Sequence, residues 1–347
     1  MKIVFDNIIY VLQKAGGISV VWTNLIVRIS HIIKNVTFLE YDGEENINRQ
    51  CIELCHDNIC HKRNRFIWIA RYCNPSFHSK EPFIFHSSYF RTCNNPHAIN
   101  ITTVHDFTYE YYVRNPIKKW VHCRQKYQAI RKSDYVVCIS ENTKQDLIKF
   151  LPDVNKEKIK VIYNGASDVF HILDNRRIGD YVLFVGSRDP YKNFDKIIKP
   201  ICESKLRLVI VGKPLNNSEI QLLNATGCRF EHVGYISDEK LNILYNNAFC
   251  LLYPSEYEGF GLPVIEAQKA GCPVIAYNGS SIKEIIGDDT LLLQTISYEE
   301  ILTKLQLLHT PSLRQSVINR GLGNACNYSW EKMASEYLSL YKKAIME

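Results

Sequence analysis

Short apolar runs alternate with helix-length amphipathic stretches along this 347-residue chain, most clearly in its second half. Six runs there read as buried strands, at 181–186, 206–212, 229–234, 249–253, 273–277 and 290–293. The stretches between them carry helix start signals: capping boxes at Ser281-x-x-Glu284 and Ser297-x-x-Glu300, and Pro263 at a first helical position. Such alternation predicts a parallel sheet covered on both faces. Gly186, Gly212 and Gly234 close three of the strands, and ligands of open α/β sheets bind outside those carboxyl ends.

The first half repeats the pattern less cleanly, with strands read at 2–5, 36–40, 83–86, 101–104, 135–140 and 160–163 and a strong helix over 18–33. Two doubly wound α/β domains in tandem are therefore expected, 1–165 and 166–325. They join in the polar, aperiodic stretch that follows the Asn164-Gly165 turn. Residues 326–347 have apolar positions at helical spacing (Met333, Tyr337, Leu338, Tyr341), and this last helix is expected to pack back on the first domain.

Composition narrows the class. Hydrophobic residues at 46% and charged residues at 22% exclude disorder and low complexity. Met1 leads straight into a strand with no apolar leader, and no run approaches the ~20 apolar residues of a membrane span, so a cytoplasmic chain is expected. The twelve cysteines are scattered, many inside apolar runs, and read as reduced thiols. Cys51, Cys55, His56, Cys60 and His61 are ligand types without the C-x2-C spacing of structural zinc, and no metal is expected there.

The net charge of +6 is unevenly spread: residues 1–165 hold 23 Lys and Arg against 15 Asp and Glu, the remainder 19 against 21. Between 111 and 133 stand Arg114, Lys118, Lys119, Arg124, Lys126, Arg131 and Lys132 with no acid. The 61–80 stretch interleaves five Lys and Arg with Phe66, Trp68, Tyr72 and Phe77. A solvated face is the plain reading; peripheral contact with an anionic membrane ranks next and nucleic acid last.

The segment with most chemistry runs from Tyr253 to Ala267. It leaves a buried strand, turns through Gly259 and Gly261 and enters a helix near Pro263, leaving the amides of Gly259, Phe260, Gly261 and Leu262 at a helix N-terminus, where anions and polar oxygens are favoured. Glu258 precedes the helix and Glu266 lies inside it, both able to accept hydrogen bonds from hydroxyl-bearing ligand parts. Ser187, Arg188 and Lys192 follow another strand end: a guanidinium fork and an ammonium suit a diphosphate, though Asp189 beside them opposes one. Gly16-Gly17 lies between the first strand and first long helix, where backbone can approach a ligand, and Val104-His105-Asp106 ends another strand.

The run Glu258-Gly259-Phe260-Gly261-Leu262-Pro263 through Glu266 resembles the E-x7-E signature of the GT-B-fold retaining glycosyltransferases of family 4. The early Gly-Gly loop, Val-His-Asp, Ser140-Glu141-Asn142-Thr143, Ile162-Tyr163-Asn164-Gly165 and Gly-x-Arg-x-x-x-Lys follow the family's order over nearly the whole chain. The resemblance implies two Rossmann-like domains facing across a cleft, with a nucleotide sugar between them. It implies Arg188 and Lys192 on the diphosphate, Glu266 on the ribose hydroxyls, and Glu258 with the amides of Gly259 to Leu262 on the donor sugar. Gly17 and Ser187 would lie near the phosphates, Tyr235 and Ile236 would border the base, and His105 would sit near the reacting carbon and acceptor. No Asp-x-Asp element accompanies the nucleotide residues, so no metal and no cofactor beyond the donor is expected.

The resulting expectation is a hexosyltransferase extending a saccharide, lipid-linked and bound for surface polysaccharide or lipopolysaccharide, at the inner face of the cytoplasmic membrane. The phosphate loop and the Tyr328-Ser329-Trp330-Glu331 ending resemble bacterial mannosyltransferases, which favours GDP-mannose over UDP-sugars. A nucleotide-sugar epimerase of the same fold and a non-enzymatic polyanion-binding protein are the alternatives.

Overall fold

A computed structural model describes residues 1–43, 45–62 and 67–347, with Ile67 and Trp68 described by their backbone alone. Arg63, Arg65, Phe66 and the Trp68 side chain of the basic aromatic stretch lie outside the described residues. The chain divides into two compact units, Met1–Gly165 with Trp330–Glu347, and Ala166–Ser329.

The first unit holds a fully parallel sheet of β1 (Ile3–Asp6), β2 (Val36–Tyr41), β3 (Ile59–Lys62), β4 (Phe83–Ser87), β5 (Ala98–Val104), β6 (Tyr135–Cys138) and β7 (Ile159–Val161). Their order is β3-β2-β1-β4-β5-β6-β7. The strand at Ile59–Lys62 was not anticipated: it is an edge strand carrying Cys60, His61 and Lys62, with neither an apolar run nor alternation to betray it. The central β1 is buried on both faces (Ile3, Val4 and Phe5 at 0% exposure), which is why it reads as a continuous apolar run. The Trp330–Met346 helix belongs to this unit and buries Met333, Tyr337 and Tyr341. Its Arg28–Glu331 ion pair (2.7 Å) ties it to the Gly17–Ile32 helix.

The second unit holds β8 (Tyr181–Val185), β9 (Arg207–Val211), β10 (Phe230–Gly234), β11 (Cys250–Tyr253), β12 (Val274–Tyr277) and β13 (Leu292–Leu293). They form a parallel sheet in the order β10-β9-β8-β11-β12-β13. Helix faces such as Ile197, Ile198, Ile201, Ile301 and Leu305 pack with Val182, Leu208, Ile210 and Leu252 of the strands. The last boundary falls at Trp330 rather than at 326. The residues just before it are held in the second unit: the Tyr328 carbonyl accepts from the Ala166 amide at 3.3 Å, and the Tyr328 ring packs edge-on to Phe260 at 5.7 Å.

One start signal misled. Ser281 sits in helical backbone (φ −70°, ψ −18°) and makes no side-chain cap bond. Its hydroxyl is spent on two loop carbonyls, those of Glu258 and Phe260, both at 2.9 Å. Ser297 does cap its helix, accepting from the Glu300 amide at 3.2 Å.

Candidate functional site

In the second unit strand order reverses between β8 and β11, opening a crevice outside their carboxyl ends. The loop after β8 turns through Gly186 and one 3-10 turn, Pro190–Lys192, and reaches Asn193 in left-handed backbone (φ 51°). Asn193 is buried, and its amide donates to the carbonyls of Tyr191 and Pro254 (both 3.2 Å) and to Glu256 Oε1 (3.1 Å). That staple sets the β8 loop against the β11 loop. Lys192 consequently forms an ion pair with Glu258, its ammonium lying 5.3 Å from the Tyr191 ring centre and 5.4 Å from that of Tyr253. Burial and the nearby Glu258 carboxylate push the Tyr253 phenol well above its usual range.

The Glu258 loop is held from behind. Its amide donates to Ser280 Oγ at 2.9 Å, while Ser281 takes the carbonyls of Glu258 and Phe260. Gly261 then caps the Leu262–Lys269 helix at φ +105°, a conformation that favours glycine; a Cβ there would also lie 2.6 Å from Ile282 Cδ1. The arrangement sets a cation of the β8 loop beside a carboxylate of the β11 loop, just ahead of the first amides of a helix. Phe260 points inward (3% exposed), so its part in any site is its backbone. Asn193, Ser280 and the use of Ser281 to hold the Glu258 loop were missed in the sequence. A polar pair after Gly279, and an Asn where the chain must turn left-handed, are the signals that were there to be read.

Arg188 does not share these partners. Its Nε donates to Glu219 Oε1 at 2.8 Å, and its Nη2 donates to the carbonyls of Lys213 (2.8 Å) and Pro214 (2.7 Å). Glu219 also accepts from the Asn216 amide at 2.8 Å, in the capping box that starts the Asn217–Ala225 helix. Arg188 thus braces the β8 loop to the β9 loop. The cavity it lines, about 200 Å³, also holds Asp189, Asp195 and Glu219, surroundings that repel a diphosphate. Ser187 donates to Asp189 Oδ2 at 2.7 Å. Arg188 and Lys192, expected side by side on a diphosphate, are engaged by different carboxylates on different elements.

Glu266, one turn into its helix, accepts from the Tyr245 hydroxyl at 3.1 Å. Burial, assisted by the Asp238 charge and opposed by the Tyr245 hydrogen bond, raises its carboxyl to about 8, so it is mostly protonated at neutral pH. Tyr235 (61% exposed) and Ile236 follow β10 directly, beyond Gly234.

In the first unit, Gly17 opens the 16-residue Gly17–Ile32 helix, with Gly16 as its cap residue. His105 follows β5, and burial lowers its imidazole to about 4 against the pull of Asp106, so the ring is neutral and can donate or accept one hydrogen bond. His86, read only as part of a strand, is also neutral: its ring bonds the Tyr341 hydroxyl (2.6 Å) and Thr103 Oγ1 (2.9 Å). The crevice position between β1 and β4 is occupied by a network that sequence reading did not find. Asp6, fully buried, receives Arg91 Nε (2.8 Å) and Nη2 (2.6 Å), the Tyr41 hydroxyl (2.7 Å) and Ser87 Oγ (2.7 Å). Among the described residues no group of three or more His, Cys, Asp or Glu is placed to hold a metal ion.

Two family models match parts of the chain. Residues 175–324 match the family described as glycosyl transferases group 1, and residues 61–168 match glycosyltransferase family 4. The chain is 26% identical over 287 residues to the O-antigen chain mannosyltransferase B of Escherichia coli, covering 75% of this chain and 74% of the relative. It is 29% identical over 212 residues to the O-antigen chain mannosyltransferase RfbU of Salmonella typhimurium, covering 57% of this chain and 59% of that protein. Among solved structures, Anabaena HepE in complex with UDP and glucose superposes with a TM-score of 0.74 at 14% identity, covering 98% of this chain and 99% of that one. WaaG, a glycosyltransferase involved in lipopolysaccharide biosynthesis, gives 0.71 at 14% identity with the same coverage. The fold is thus of the GT-B class, two Rossmann-like α/β units.

Proposed function

The chain belongs to the glycosyltransferases built from a family-4 and a group-1 segment, and from that membership we propose that it moves a hexose from a nucleotide diphosphate sugar, GDP-mannose foremost, to a saccharide acceptor. The acceptor is lipid-linked and destined for surface polysaccharide or lipopolysaccharide, the anomeric configuration is retained, and no metal is required. The enzyme acts at the inner face of the cytoplasmic membrane, touching it through the basic stretches 61–80 and 111–133. The observation that carries the reading is the Lys192–Glu258 pair, held beside the Gly261-capped helix at the point where the second sheet reverses its strand order.

In this reading the incoming diphosphate draws Lys192 away from Glu258. The exchange frees the Glu258 carboxylate to accept hydrogen bonds from sugar hydroxyls while the amides from Gly259 to Leu262 face the sugar. As the bond from the anomeric carbon to phosphate breaks, its electron pair passes to the diphosphate, and Lys192 stabilises the growing negative charge. The acceptor hydroxyl forms the new bond on the same face and gives its proton to the departing phosphate oxygen. Glu266 serves the ribose hydroxyls, and Tyr235 and Ile236 border the base. In the first unit, Gly17 offers a helix-terminal amide to phosphate and His105 a neutral imidazole to the reacting carbon and acceptor. Arg188, with Ser187 beside it, keeps the shape of the phosphate loop.

The test is a thermal-shift panel of GDP, UDP, dTDP and ADP, followed by transfer assays in EDTA with the matching nucleotide sugars. GDP is expected to raise the melting temperature most, because a ligand bound only by native protein stabilises it. An extended saccharide with retained configuration is the expected product. A panel in which no nucleoside diphosphate shifts the transition, or a donor altered with no acceptor extended, overturns the proposal.

A further inference from the structure

The Pro116–Lys132 helix turns Cys123, Lys126, Ala129 and Ile130 inward. Lys126 is fully buried and paired with Glu110 at 2.7 Å, so its charge is spent inside. The outward face is unlike an ordinary solvated one. Ile117 is 75% exposed and Trp120 61%; among the described residues, Met346 is the one large apolar side chain more exposed than Ile117. Ile117, Trp120 and Arg124 follow one another at three- and four-residue steps and share a stripe. The Arg124 guanidinium lies 5.3 Å from the Trp120 ring centre. Arg114 and Lys118 are exposed beside them, and no acid occurs from 111 to 133. At the far end of the helix Arg131 is already paired with Asp153 at 2.8 Å.

We propose that this face, with Ile117 and Trp120 as its apolar tips and Arg114, Lys118 and Arg124 around them, docks on an anionic phospholipid bilayer. The inference rests on the membrane part of the reading above and narrows it to the first turns of one helix. An indole between headgroups and acyl chains, with cations at the phosphates, is the arrangement such a stripe satisfies. Nucleic acid would use the cations and leave Ile117 in water, and a second copy of the chain would set like charges face to face.

The experiment uses the full chain with vesicles of phosphatidylcholine alone or mixed with phosphatidylglycerol. The parent protein is expected to sediment with the mixed vesicles, and brominated lipid is expected to quench its tryptophan fluorescence. Ile117→Ser/Trp120→Ser is expected to weaken vesicle binding about tenfold, and Lys118→Glu/Arg124→Glu by at least about as much. The melting-temperature shift with nucleoside diphosphate should be unchanged in both. The proposal is overturned if the parent ignores the mixed vesicles or if Ile117→Ser/Trp120→Ser binds them like the parent. It is equally overturned if duplex DNA binds as tightly as vesicles, or if the substitutions act only by dissolving a dimer seen in sedimentation velocity. Lost vesicle binding alongside intact transfer to a soluble acceptor would remove this surface and leave the glycosyltransferase reading standing.

Discussion

The two sheets reverse their strand order at one point each, between β1 and β4 in the first unit and between β8 and β11 in the second, and the side chains at those points differ in kind. Asp6 is fully buried and each of its carboxylate oxygens is used twice, by Arg91, Tyr41 and Ser87. Lys192 and Glu258 are partly exposed (12% and 14%) and hold each other in a loop whose course is set by Asn193, Ser280 and Ser281. Topology places a crevice in both units. Of the two pairs, Asp6–Arg91 is sealed from solvent and Lys192–Glu258 is within reach of it, so the second is the one an incoming anion could draw apart.

The sharpest way to break this contrast is to cut the buried pair. Arg91→Ala should strand the Asp6 carboxylate without its fork and cost about 3–5 kcal/mol of stability, read as a lower urea midpoint. Arg91→Lys, which keeps the charge and loses the paired geometry, should fall between the two. A loss below 1 kcal/mol would mean that Asp6 and Arg91 exchange partners as readily as Lys192 and Glu258, and the distinction between the crevices would go.

Next in size is the open pair. Lys192→Ala should lower turnover about 10²- to 10³-fold, the usual cost of removing one group that stabilises a leaving anion. It should also shrink the melting-temperature shift with nucleoside diphosphate. Arg188→Ala should lose less than Lys192→Ala, and Glu219→Ala, which removes the brace from the other side, should reproduce its effect. If Arg188→Ala abolishes diphosphate binding while Glu219→Ala is silent, Arg188 touches the ligand and the bracing role proposed for it is wrong.

These residues also show where sequence reading reached and where it stopped. The Glu258 loop was legible because strand, two glycines, proline and helix follow one another locally, and each has a local physical consequence. Arg188 was given to the diphosphate because a guanidinium and an ammonium follow the same strand end, yet in the fold its side chain goes to Glu219, 31 positions further on. The Asp6–Arg91 pair spans 85 positions and leaves no periodic or compositional trace. Ser281 carried a correct helix-start pattern, but two carbonyls of the Glu258 loop compete for its hydroxyl and win. Contacts made within one turn or one strand were readable, and those made by the fold bringing distant loops together were not.

The smallest predicted effect concerns Glu266 and extends the comparison to a third kind of charge, one suppressed by burial rather than paired. Its carboxyl titrates at about 8 in the folded protein against an ordinary 4.5, with burial first and Asp238 second among the causes. The folded state therefore holds this proton where the unfolded state has released it. The associated stability is complete below pH about 4.5 and is lost as pH rises towards 8. Glu266→Gln cannot ionise, so its melting temperature should hold better than the parent's between pH 5 and pH 8, the two curves drawing apart as pH rises. Ribose hydroxyls that donate to an ionised Glu266 would also make nucleoside diphosphate binding release a proton near pH 7, visible as a buffer-dependent heat that Glu266→Gln lacks. Parallel melting curves for parent and variant across that range would show that Glu266 is ionised throughout, and that the second crevice presents a carboxylate there rather than a neutral acid.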